Sequence, residues 1–396
     1  MKVFFVPGRK WQLSQAELQS VIRSSSIDHV SLSYSEELFL FDMQLSQERL
    51  TELFSRLGGS TRCGIIIEEP FDFLESTLPH TDTNKKIPFS VSMLDSSSSA
   101  RIRSKEKHIL GMKLKTWLKT RGYSPRFVSK QSDPVTSAVL LNTNNVLEKG
   151  FELVRLAHPK THTSLWGMTM SVHDYSAFAK RDYQRPRSNK KKGMIPPKLA
   201  RMMVNLAEQP SGSVLWDPFC GSGTILMEAL LLGHTVIGSD SDSVAIEETE
   251  ANLKWICDTY WISHTNYTIL QHDIRNGLPH NLSDGTALNA VVTEPYLGPI
   301  LRSTTSISRI ESIVNDIKPL YESLFSALFH VSKVKIDSTR RIVLVVPGFK
   351  SPQGWIDTDV SADDASIREC QEYIKYPLQW ERPHSIIKRN IKIFSF

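Results

Sequence analysis

One short segment constrains the fold of this chain more than any other. An apolar run, SVLWD, ends in Asp217, passes through the turn PFCGS and enters the apolar stretch GTILMEALLLG. A short apolar run bounded by turn residues is typical of a buried strand, and the longer stretch is typical of a helix. A strand, a glycine-rich turn and a helix in this order form the repeating unit of parallel α/β sheets.

The same alternation continues to the end of the chain. TVIGSD, YTILQHD, NAVVTEP and RIVLVVP read as strands, while SVAIEETEANLKWI and the long IESIVNDIKPLYESLFSALFHV, with Pro319 inside it, read as helices. A final strand or hairpin is predicted in HSIIKRNIKIFSF. Near-continuous apolar strands separated by helices favour a doubly wound, Rossmann-like sheet, which we predict over residues 199–396.

The first half of the chain predicts a different, α+β architecture. Strands and helices alternate in residues 1–60, where Ser14 and Glu17 have the spacing of a capping box at a helix start. A second α+β unit is predicted over residues 61–165, with GIIIEEP, PFSVSMLD, AVLLNTN and GFELVRLA as strands. The helix SKEKHILGMKLKTWLKTRG lies among them, with Ile109, Met112 and Leu118 on its predicted apolar face.

Residues 166–198 read as a basic connection between the two halves. The segment lacks a hydrophobic period beyond residue 171, carries several prolines and holds eight lysines and arginines from Lys180 to Lys198. Such a segment can follow RNA phosphates, or it can be a solvated linker.

Composition excludes several classes of protein. The chain has 396 residues, of which 40% are hydrophobic and 22% charged, a balance that permits a large core. We expect no membrane-spanning helix, because no run of eighteen apolar residues occurs, and no signal peptide, because only four apolar residues follow Lys2. The cytoplasm is therefore the expected location. The four cysteines are widely spaced, so neither a metal site nor a disulfide framework is expected.

Ligands of such sheets bind at the carboxyl ends of the strands, and the first of these ends is DPFCGSG. Its glycines permit close backbone approach, and the next helix offers free N–H groups. Leu226 stands where a dinucleotide fingerprint would have its last glycine, and the Asp217 carboxylate would repel a pyrophosphate. The Asp217 carboxylate would instead suit an ammonium group, such as the one that S-adenosylmethionine carries. The alternative is that DPFCGSG is a plain tight turn without a ligand. The predicted cofactor contacts here are Asp217, Phe219, Cys220, Gly221, Gly223 and Thr224.

Two further acids follow strands. Asp240 ends TVIGSD, where a carboxylate can accept hydrogen bonds from ribose hydroxyls, or where it can cap the next helix. Asp273 follows YTILQ, where it could meet an adenine amino group or be a solvated turn residue. We predict both as cofactor contacts.

The fourth strand end is TEPYLG, and here the pattern becomes specific. The order DPFCGSG, acid, acid and Pro-Tyr loop resembles the class I amino-methyltransferases, which methylate exocyclic amines of bases. The resemblance implies that the Tyr296 ring stacks on a flipped-out base, and that the start of the loop accepts hydrogen bonds from the amine. The implied catalytic residues are Thr293, Glu294, Pro295 and Tyr296.

This loop departs from the family pattern of Asp/Asn/Ser-Pro-Pro-Tyr/Phe. Thr293 stands in the place of the acid, and Glu294 in the place of the first proline. Either Glu294 is the acceptor from a shifted position, or the chemistry is altered or lost.

Upstream segments extend the resemblance to one family. GRKWQLSQAEL, PFSVS, RGYSPRFVS and the segment from Ser171 to Asp240 are similar to the THUMP-containing tRNA guanosine-N2 methyltransferases that act at tRNA position ten. This implies a ferredoxin-like piece and a THUMP module that grasps tRNA, and in eukaryotic relatives a small activating partner protein. The expected RNA contacts are Lys113, Lys115, Lys119, Arg181, Arg185, Arg187, Lys190, Lys191 and Lys192.

Two other functions stay open from the sequence. The Pro-Tyr loop alone permits methylation of adenine or cytosine in another nucleic acid. The Thr293-Glu294 departure permits a non-catalytic RNA-binding protein that keeps the fold.

Overall fold

The computed structural model describes twelve stretches of the chain, which form two compact units. The described residues are 1–78, 86–94, 98–130, 132–188, 194–283, 288–299, 301–302, 305–332, 339–360, 367–370, 377–382 and 385–395. The first unit comprises residues 1–11, 26–55 and 60–177, and the second comprises residues 12–25, 56–59 and 178–396. Within the described part of the chain, no helix is both long and apolar enough to cross a lipid bilayer.

The first half of the chain supplies eight strands and seven helices to the described structure. In chain order they are β1 (Lys2–Pro7), α1 (Trp11–Ser24), β2 (His29–Tyr34), β3 (Phe39–Met43), α2 (Gln47–Arg56), β4 (Ser60–Ile67), α3 (Pro70–Thr77), β5 (Lys86–Met93), α4 (Ala100–Thr120), β6 (Ser124–Phe127), α5 (Ala138–Thr143), α6 (Val146–Lys149), β7 (Phe151–Ala157), β8 (Ser164–Val172) and α7 (Tyr175–Tyr183).

All eight strands form one mixed sheet in the order β2-β3-β1-β4-β8-β7-β5-β6. The predicted boundary at residue 60 is wrong as a structural division, because β1 pairs with β4 along the register Val3 to Ile65. Buried apolar residues of β1, β3 and β7, such as Phe4, Leu40 and Val154, pack in one cluster on this sheet. The strands of residues 1–60 therefore share a sheet with those of 61–165.

Two other predictions for this half are also wrong. The segment AVLLNTN is the helix α5, which begins after Ser137, whose side chain accepts a hydrogen bond from the Leu140 N–H. Residues 166–198 are not simply a connection, because they contain most of β8 and all of α7. The predicted strands PFSVSMLD and GFELVRLA are confirmed as β5 and β7.

The second half supplies the remaining elements. They are α8 (Pro197–Leu206), β9 (Val214–Asp217), α9 (Thr224–Leu231), β10 (Thr235–Asp240), α10 (Ser243–Tyr260), β11 (Tyr267–Gln271), α11 (His280–Ser283), β12 (Ala290–Thr293), α12 (Ile307–Ser332), β13 (Arg341–Ser351), β14 (Gly354–Asp357), β15 (Arg368–Glu369), β16 (Gln379–Trp380) and β17 (Ile387–Ser395).

The sheet of the second unit is doubly wound, as predicted. Its order is β11-β10-β9-β12-β13-β17-β15, with β14 beside β13 and β16 beside β17. The strands from β11 to β13 are parallel, and β17 is antiparallel to β13. The chain runs from β9 outward to β11 and then returns to the other side of β9 at β12, so the strand order reverses there. Crevices at such a reversal are where open α/β sheets bind ligands.

Helices cover both faces of this sheet. Buried residues of α8, α9 and α10, including Leu199, Leu226 and Leu253, pack on one face. Trp216 and residues of α12, among them Tyr321, pack on the other. The predicted long helix is confirmed, and it contains Pro319. Burial on both faces explains why β9, β12 and β13 read as continuous apolar runs.

Helix α1 belongs to the second unit although it lies near the start of the chain. Its Glu17 carboxylate is fully buried and accepts hydrogen bonds from the N–H groups of Gly58 and Gly59, at 2.7 and 2.8 Å, and from Asn205 Nδ2 at 2.7 Å. Ser14 Oγ donates to the Gly59 carbonyl at 2.9 Å. The predicted capping box is therefore wrong, because α1 begins at Trp11 and these side chains bind residues distant in sequence. Burial raises the pKa of Glu17 to about 7.

Candidate active site

A cavity of about 990 Å³ lies at the carboxyl ends of β9, β10 and β12. The turns after the three strands meet here because parallel strands end at one edge of the sheet. Ten of the twelve residues predicted as cofactor or catalytic contacts line it: Asp217, Phe219, Cys220, Gly221, Thr224, Asp240, Asp273, Glu294, Pro295 and Tyr296. Gly223 is the N-cap residue just before α9, with a φ of 77°, and Thr293 is fully buried and does not line the cavity.

The Asp217 carboxylate ends β9 and is almost completely buried, with 1% of the residue exposed. Its Oδ1 accepts hydrogen bonds from Thr293 Oγ1 at 2.6 Å and from the Phe219 N–H at 3.1 Å. Burial raises the pKa of Asp217 to about 7; the bond from Thr293 opposes this rise, whereas the negative charges of Asp240 and Glu294 add to it. The carboxyl is thus poised to take up or lose a proton near neutral pH.

Thr293 occupies the position at which the amino-methyltransferase pattern has an acid. Its hydroxyl group donates to Asp217 and is therefore committed to the β9 carboxylate, a contact that no sequence motif indicates. The partnership follows from the sheet, because β12 lies directly beside β9, with Val291 opposite Trp216.

The Asp240 carboxylate joins two turns of the site. Its Oδ2 accepts a hydrogen bond from the Gly221 N–H at 2.9 Å, and its Oδ1 accepts one from the Asp242 N–H at 3.0 Å. The alternative role considered for Asp240, the N-cap of α10, belongs to Asp242, whose side chain accepts from the Val244 N–H. Each carboxylate oxygen of Asp240 keeps a second lone pair for a ligand.

The glycine turn after β9 is shaped for close approach. Gly221 has a φ of 53°, and a Cβ added there would meet nothing within 4 Å. Its left-handed backbone favours glycine, and the open space beside it faces the cavity that Gly221 lines. Cys220 is buried beside it, and burial holds the pKa of its thiol well above the ordinary value. A protonated thiol is a poor nucleophile, so Cys220 contributes packing here.

Asp273 lines the cavity, but its carboxylate already has a partner. It accepts hydrogen bonds from the Arg275 guanidinium, with Nε at 3.0 Å from both oxygens, and it caps the short turn at Ile274–Asn276. The bonds from Arg275 lower the pKa of Asp273. Its contact with an adenine amino group stays a prediction.

The loop after β12 has one exposed ring and one paired acid. Tyr296 is 57% exposed, so its face is accessible to a ligand. Glu294 forms a bidentate ion pair with Arg389 of β17, at 2.5 Å between Nε and Oε2 and 3.0 Å between Nη2 and Oε1. Arg389 was missed in the sequence because no motif surrounds it; only its place in the last strand would have suggested it.

The predicted RNA contacts separate into three groups. Lys113 and Lys119 are exposed on α4, Lys115 is half-buried there, and the Arg187 side chain is exposed. These four stay predictions. Three others, Lys190, Lys191 and Lys192, lie outside the described residues.

The prediction is wrong for Arg181 and Arg185, which are only 3% exposed. Arg181 Nε donates to Glu228 Oε1 at 2.6 Å, and Arg185 Nη1 donates to Thr224 Oγ1 at 2.6 Å. Arg201 Nε also donates to Glu228, at 2.7 Å to Oε2. These cations are used inside the fold because α9 presents the buried Glu228 to Arg181 and Arg201 and the Thr224 hydroxyl to Arg185, partners that no local pattern reveals.

Among the described residues, no cluster of three or more His, Cys, Asp or Glu is arranged to hold a metal ion.

Comparison with known proteins defines the class and then the family. Residues 184–273 match the model of the UPF0020 family, described as an RMKL-like methyltransferase domain. The TrmN structure from Thermus thermophilus covers 100% of this chain and 99% of its own, with a TM-score of 0.50 and 12% identity, and so shares the fold. The second unit is thus a class I methyltransferase domain.

Two curated relatives identify the family within this class. A probable tRNA (guanine(10)-N2)-dimethyltransferase of Methanothermococcus thermolithotrophicus is 32% identical over 130 residues, which cover 30% of this chain and 70% of the relative. The tRNA (guanine(10)-N2)-dimethyltransferase of Methanothermobacter thermautotrophicus is 40% identical over 106 residues, 27% of this chain and 28% of the relative. The chain belongs to the tRNA (guanine(10)-N2)-methyltransferase family, although the match spans little more than a quarter of the second relative.

Proposed function

We propose that this protein transfers the methyl group of S-adenosylmethionine to the exocyclic N2 amine of a guanosine in tRNA, at position ten. One observation carries the proposal: the acids after β9 and β10 and the Tyr296 loop after β12 share one cavity. This arrangement supports a cofactor site beside an aromatic ring that can stack on a base. Membership of the family supports guanosine in tRNA as the target.

The residues present fit S-adenosylmethionine. Asp217 offers a buried carboxylate for the ammonium group, and Asp240 offers acceptor lone pairs for ribose hydroxyls. The open space beside Gly221 admits a ligand against the backbone. Ligand sites usually measure about 300–1,000 Å³, so the cavity has room for a cofactor and a base. When bound, the cofactor supplies a methyl group activated by its sulfonium.

The chain's own contribution is to hold the target amine. The lone pair of a guanine N2 amine is delocalised into the ring, so acceptors that bind its N–H groups localise the lone pair and orient it for attack. Because the Thr293 hydroxyl donates to Asp217, we assign the acceptor role to the Glu294 carboxylate, with the loop backbone as the alternative. Tyr296 stacks on the base, and the proton released on transfer leaves towards the acceptor or water.

Delivery of tRNA is assigned to the first unit. The exposed lysines of α4 in this unit, and the exposed Arg187 of the second unit, can neutralise phosphates, each contact adding affinity that falls with salt. The small activating partner and the cytoplasmic location stay predictions.

The proposal is tested by incubating the purified protein with S-adenosylmethionine and unmodified tRNA transcripts, followed by nuclease digestion and mass spectrometry. N2-methylguanosine is the expected product. A methylated adenosine or cytidine would overturn the target. Binding of both the cofactor and tRNA without any product would favour a non-catalytic RNA-binding protein.

Replacement of Asp240 tests the ribose contact. Asp240→Ala should weaken S-adenosylmethionine binding by about tenfold or more in calorimetry, since it loses charged acceptors and the bond that holds Gly221. Asp240→Asn, which keeps one acceptor oxygen, should lose less. Unchanged affinity in Asp240→Ala would exclude the role.

Replacement of Glu294 tests the acceptor. Glu294→Gln should lower kcat for methyl transfer by about a hundredfold, because an amide is a weaker acceptor than a carboxylate and turns a donor towards the amine or Arg389. Cofactor affinity should stay within a factor of about two, since Asp217 and Asp240 are unchanged. A fully active Glu294→Gln would move the acceptor role to the loop backbone.

A further inference from the structure

Glu294 forms an ion pair with Arg389 of β17, a strand that contains no recognisable sequence motif. The Arg389 guanidinium meets both carboxylate oxygens, and the two side chains are only 10% and 13% exposed. A bidentate contact fixes the plane of a carboxylate as well as its position. Glu294 therefore presents its remaining lone pairs in a fixed direction.

Arg389 is itself fixed by its surroundings. It lies on β17, opposite Pro347 of β13 on one side and Trp380 of β16 on the other. Its guanidinium is 5.3 Å from the centre of the Trp380 ring, within the range of a cation–π contact. An arginine between a central strand and an indole has little freedom to leave its carboxylate partner.

The Glu294 carboxylate needs a positively charged partner such as Arg389 because it lies near other carboxylates. Glu294 lines the same cavity as Asp217 and Asp240, and its negative charge contributes to raising the pKa of the Asp217 carboxyl. These three carboxylates, which are among the acids that line the cavity, repel each other in a medium of low dielectric. The positive charge of Arg389 offsets that repulsion at Glu294, so that the loop can carry an acid where the family pattern has proline.

The geometry suits one edge of one base. Guanine presents the ring N1–H and the exocyclic N2 amine side by side, which is a pair of donors. A carboxylate has about four lone-pair sites, and the Arg389 fork occupies one on each oxygen, both on the same side of the group. The free lone pair on one oxygen lies on the outer side, where that oxygen can accept from both neighbouring donors of guanine. The corresponding edges of adenine and cytosine place an acceptor beside the amine, which a carboxylate disfavours.

We propose that Arg389 is a positioning and specificity-determining residue, which orients the Glu294 carboxylate to read the N1–H and N2 donor edge of guanine. This inference rests on the proposed function of the Glu294 loop. Arg389 acts through Glu294 and does not itself touch the reacting atoms.

The first experiment compares the kinetics of variants of the full chain. Arg389→Gln should lower kcat by about a hundredfold, with KM for tRNA and cofactor affinity changed by no more than about threefold. Arg389→Lys, which restores charge without the fork, should recover part of the rate. Adding Arg389→Gln to Glu294→Gln should cost little more than either change alone, because the two residues act as one unit.

The chain offers a matched control at the next position. Lys388 of β17 is also buried, pairs with Asp357 at 3.0 Å and lies 5.1 Å from the Trp355 ring, but it does not line the cavity. Lys388→Gln should shift the thermal unfolding midpoint as much as Arg389→Gln while keeping the wild-type kcat. Equal losses of rate in both variants, or additive losses in the double variant, would overturn the proposal.

A binding measurement separates this proposal from the proposed function. In the presence of S-adenosylhomocysteine, the wild type should bind a tRNA transcript with guanosine at position ten more tightly than one with inosine, which lacks the amine. Arg389→Gln and Arg389→Lys should reduce this preference, and Lys388→Gln should keep it. If the wild type methylates no guanosine, the proposed function fails; absence of the preference in the wild type, or its persistence in both Arg389 variants, overturns the role of Arg389.

Discussion

Asp217→Asn is expected to weaken S-adenosylmethionine binding by roughly a hundredfold, the largest effect of any single change at the cofactor site. The carboxylate is buried, and an ammonium group that meets a neutral amide there loses a charged partner in a medium of low dielectric. Both described hydrogen bonds reach Oδ1, which asparagine keeps, so the turn after β9 should hold its shape. Calorimetric titration measures the loss.

The raised pKa of Asp217 predicts that cofactor affinity depends on pH. The pKa of the free Asp217 carboxyl is about 7, so below that pH the group is protonated and must lose its proton before it can pair with a cation. Cofactor affinity should therefore rise as the pH increases through about 7, by up to tenfold per unit on the acid side. It should fall again where an α-ammonium group deprotonates, near pH 8.

Folding stability depends on pH in the opposite direction from cofactor affinity. A carboxyl whose pKa is raised in the folded state favours folding most at low pH, and this contribution is lost as the pH rises through the folded value of about 7. Asp217→Asn should abolish the acid limb of cofactor binding and lessen the decline of apo-protein stability as the pH rises towards about 7. A wild type whose affinity is flat between pH 6 and 8 would contradict the role of Asp217 as the ammonium partner.

Glu228→Gln is expected to destabilise the methyltransferase unit by about 3–5 kcal/mol. The carboxylate is fully buried and joins Arg181 of α7 to Arg201 of α8. Removing its charge leaves two buried guanidinium groups without the Glu228 counter-ion, and Arg185 is a third buried cation that interacts with the Glu228 charge. For a unit of this size the thermal unfolding midpoint should fall by roughly 10 °C.

The control for this variant is an exposed acid of the same unit. Glu250→Gln on α10 should change the unfolding free energy by less than about 0.5 kcal/mol, because Glu250 is exposed. Replacing Arg181, Glu228 and Arg201 together by apolar residues of similar volume should restore much of the stability. A Glu228→Gln protein that unfolds like the wild type would show that these charges are solvated in solution.

The sequence predicted the second unit well because its signals are local. Each strand of the parallel sheet is buried on both faces and so reads as an apolar run, and each ligand-facing acid directly follows one. That register is sufficient to place Asp217, Asp240 and Tyr296 at one edge of the sheet, where all three line the cavity.

The sequence failed where a residue's partner is distant along the chain. Arg181 and Arg185 looked like RNA contacts because their acid, Glu228, and their acceptor, Thr224, lie about forty residues away on α9. On α4, Ile109 and Met112 are exposed although their spacing suggested a core face, and Lys107 is buried through bonds to two loop carbonyls. Periodicity reports the pattern of apolar residues but cannot report such partners.

The place of α1 has a consequence for biosynthesis. Leu13 and Ala16 of α1 pack in the same core as α8, which the ribosome produces about 180 residues later. At a synthesis rate of roughly 5–20 residues per second, α8 is made about ten to forty seconds after α1. The catalytic unit is therefore not encoded by one continuous segment of the chain. A recombination event that transferred residues 178–396 alone would lack both α1 and the Gly58-Gly59 turn that Glu17 binds.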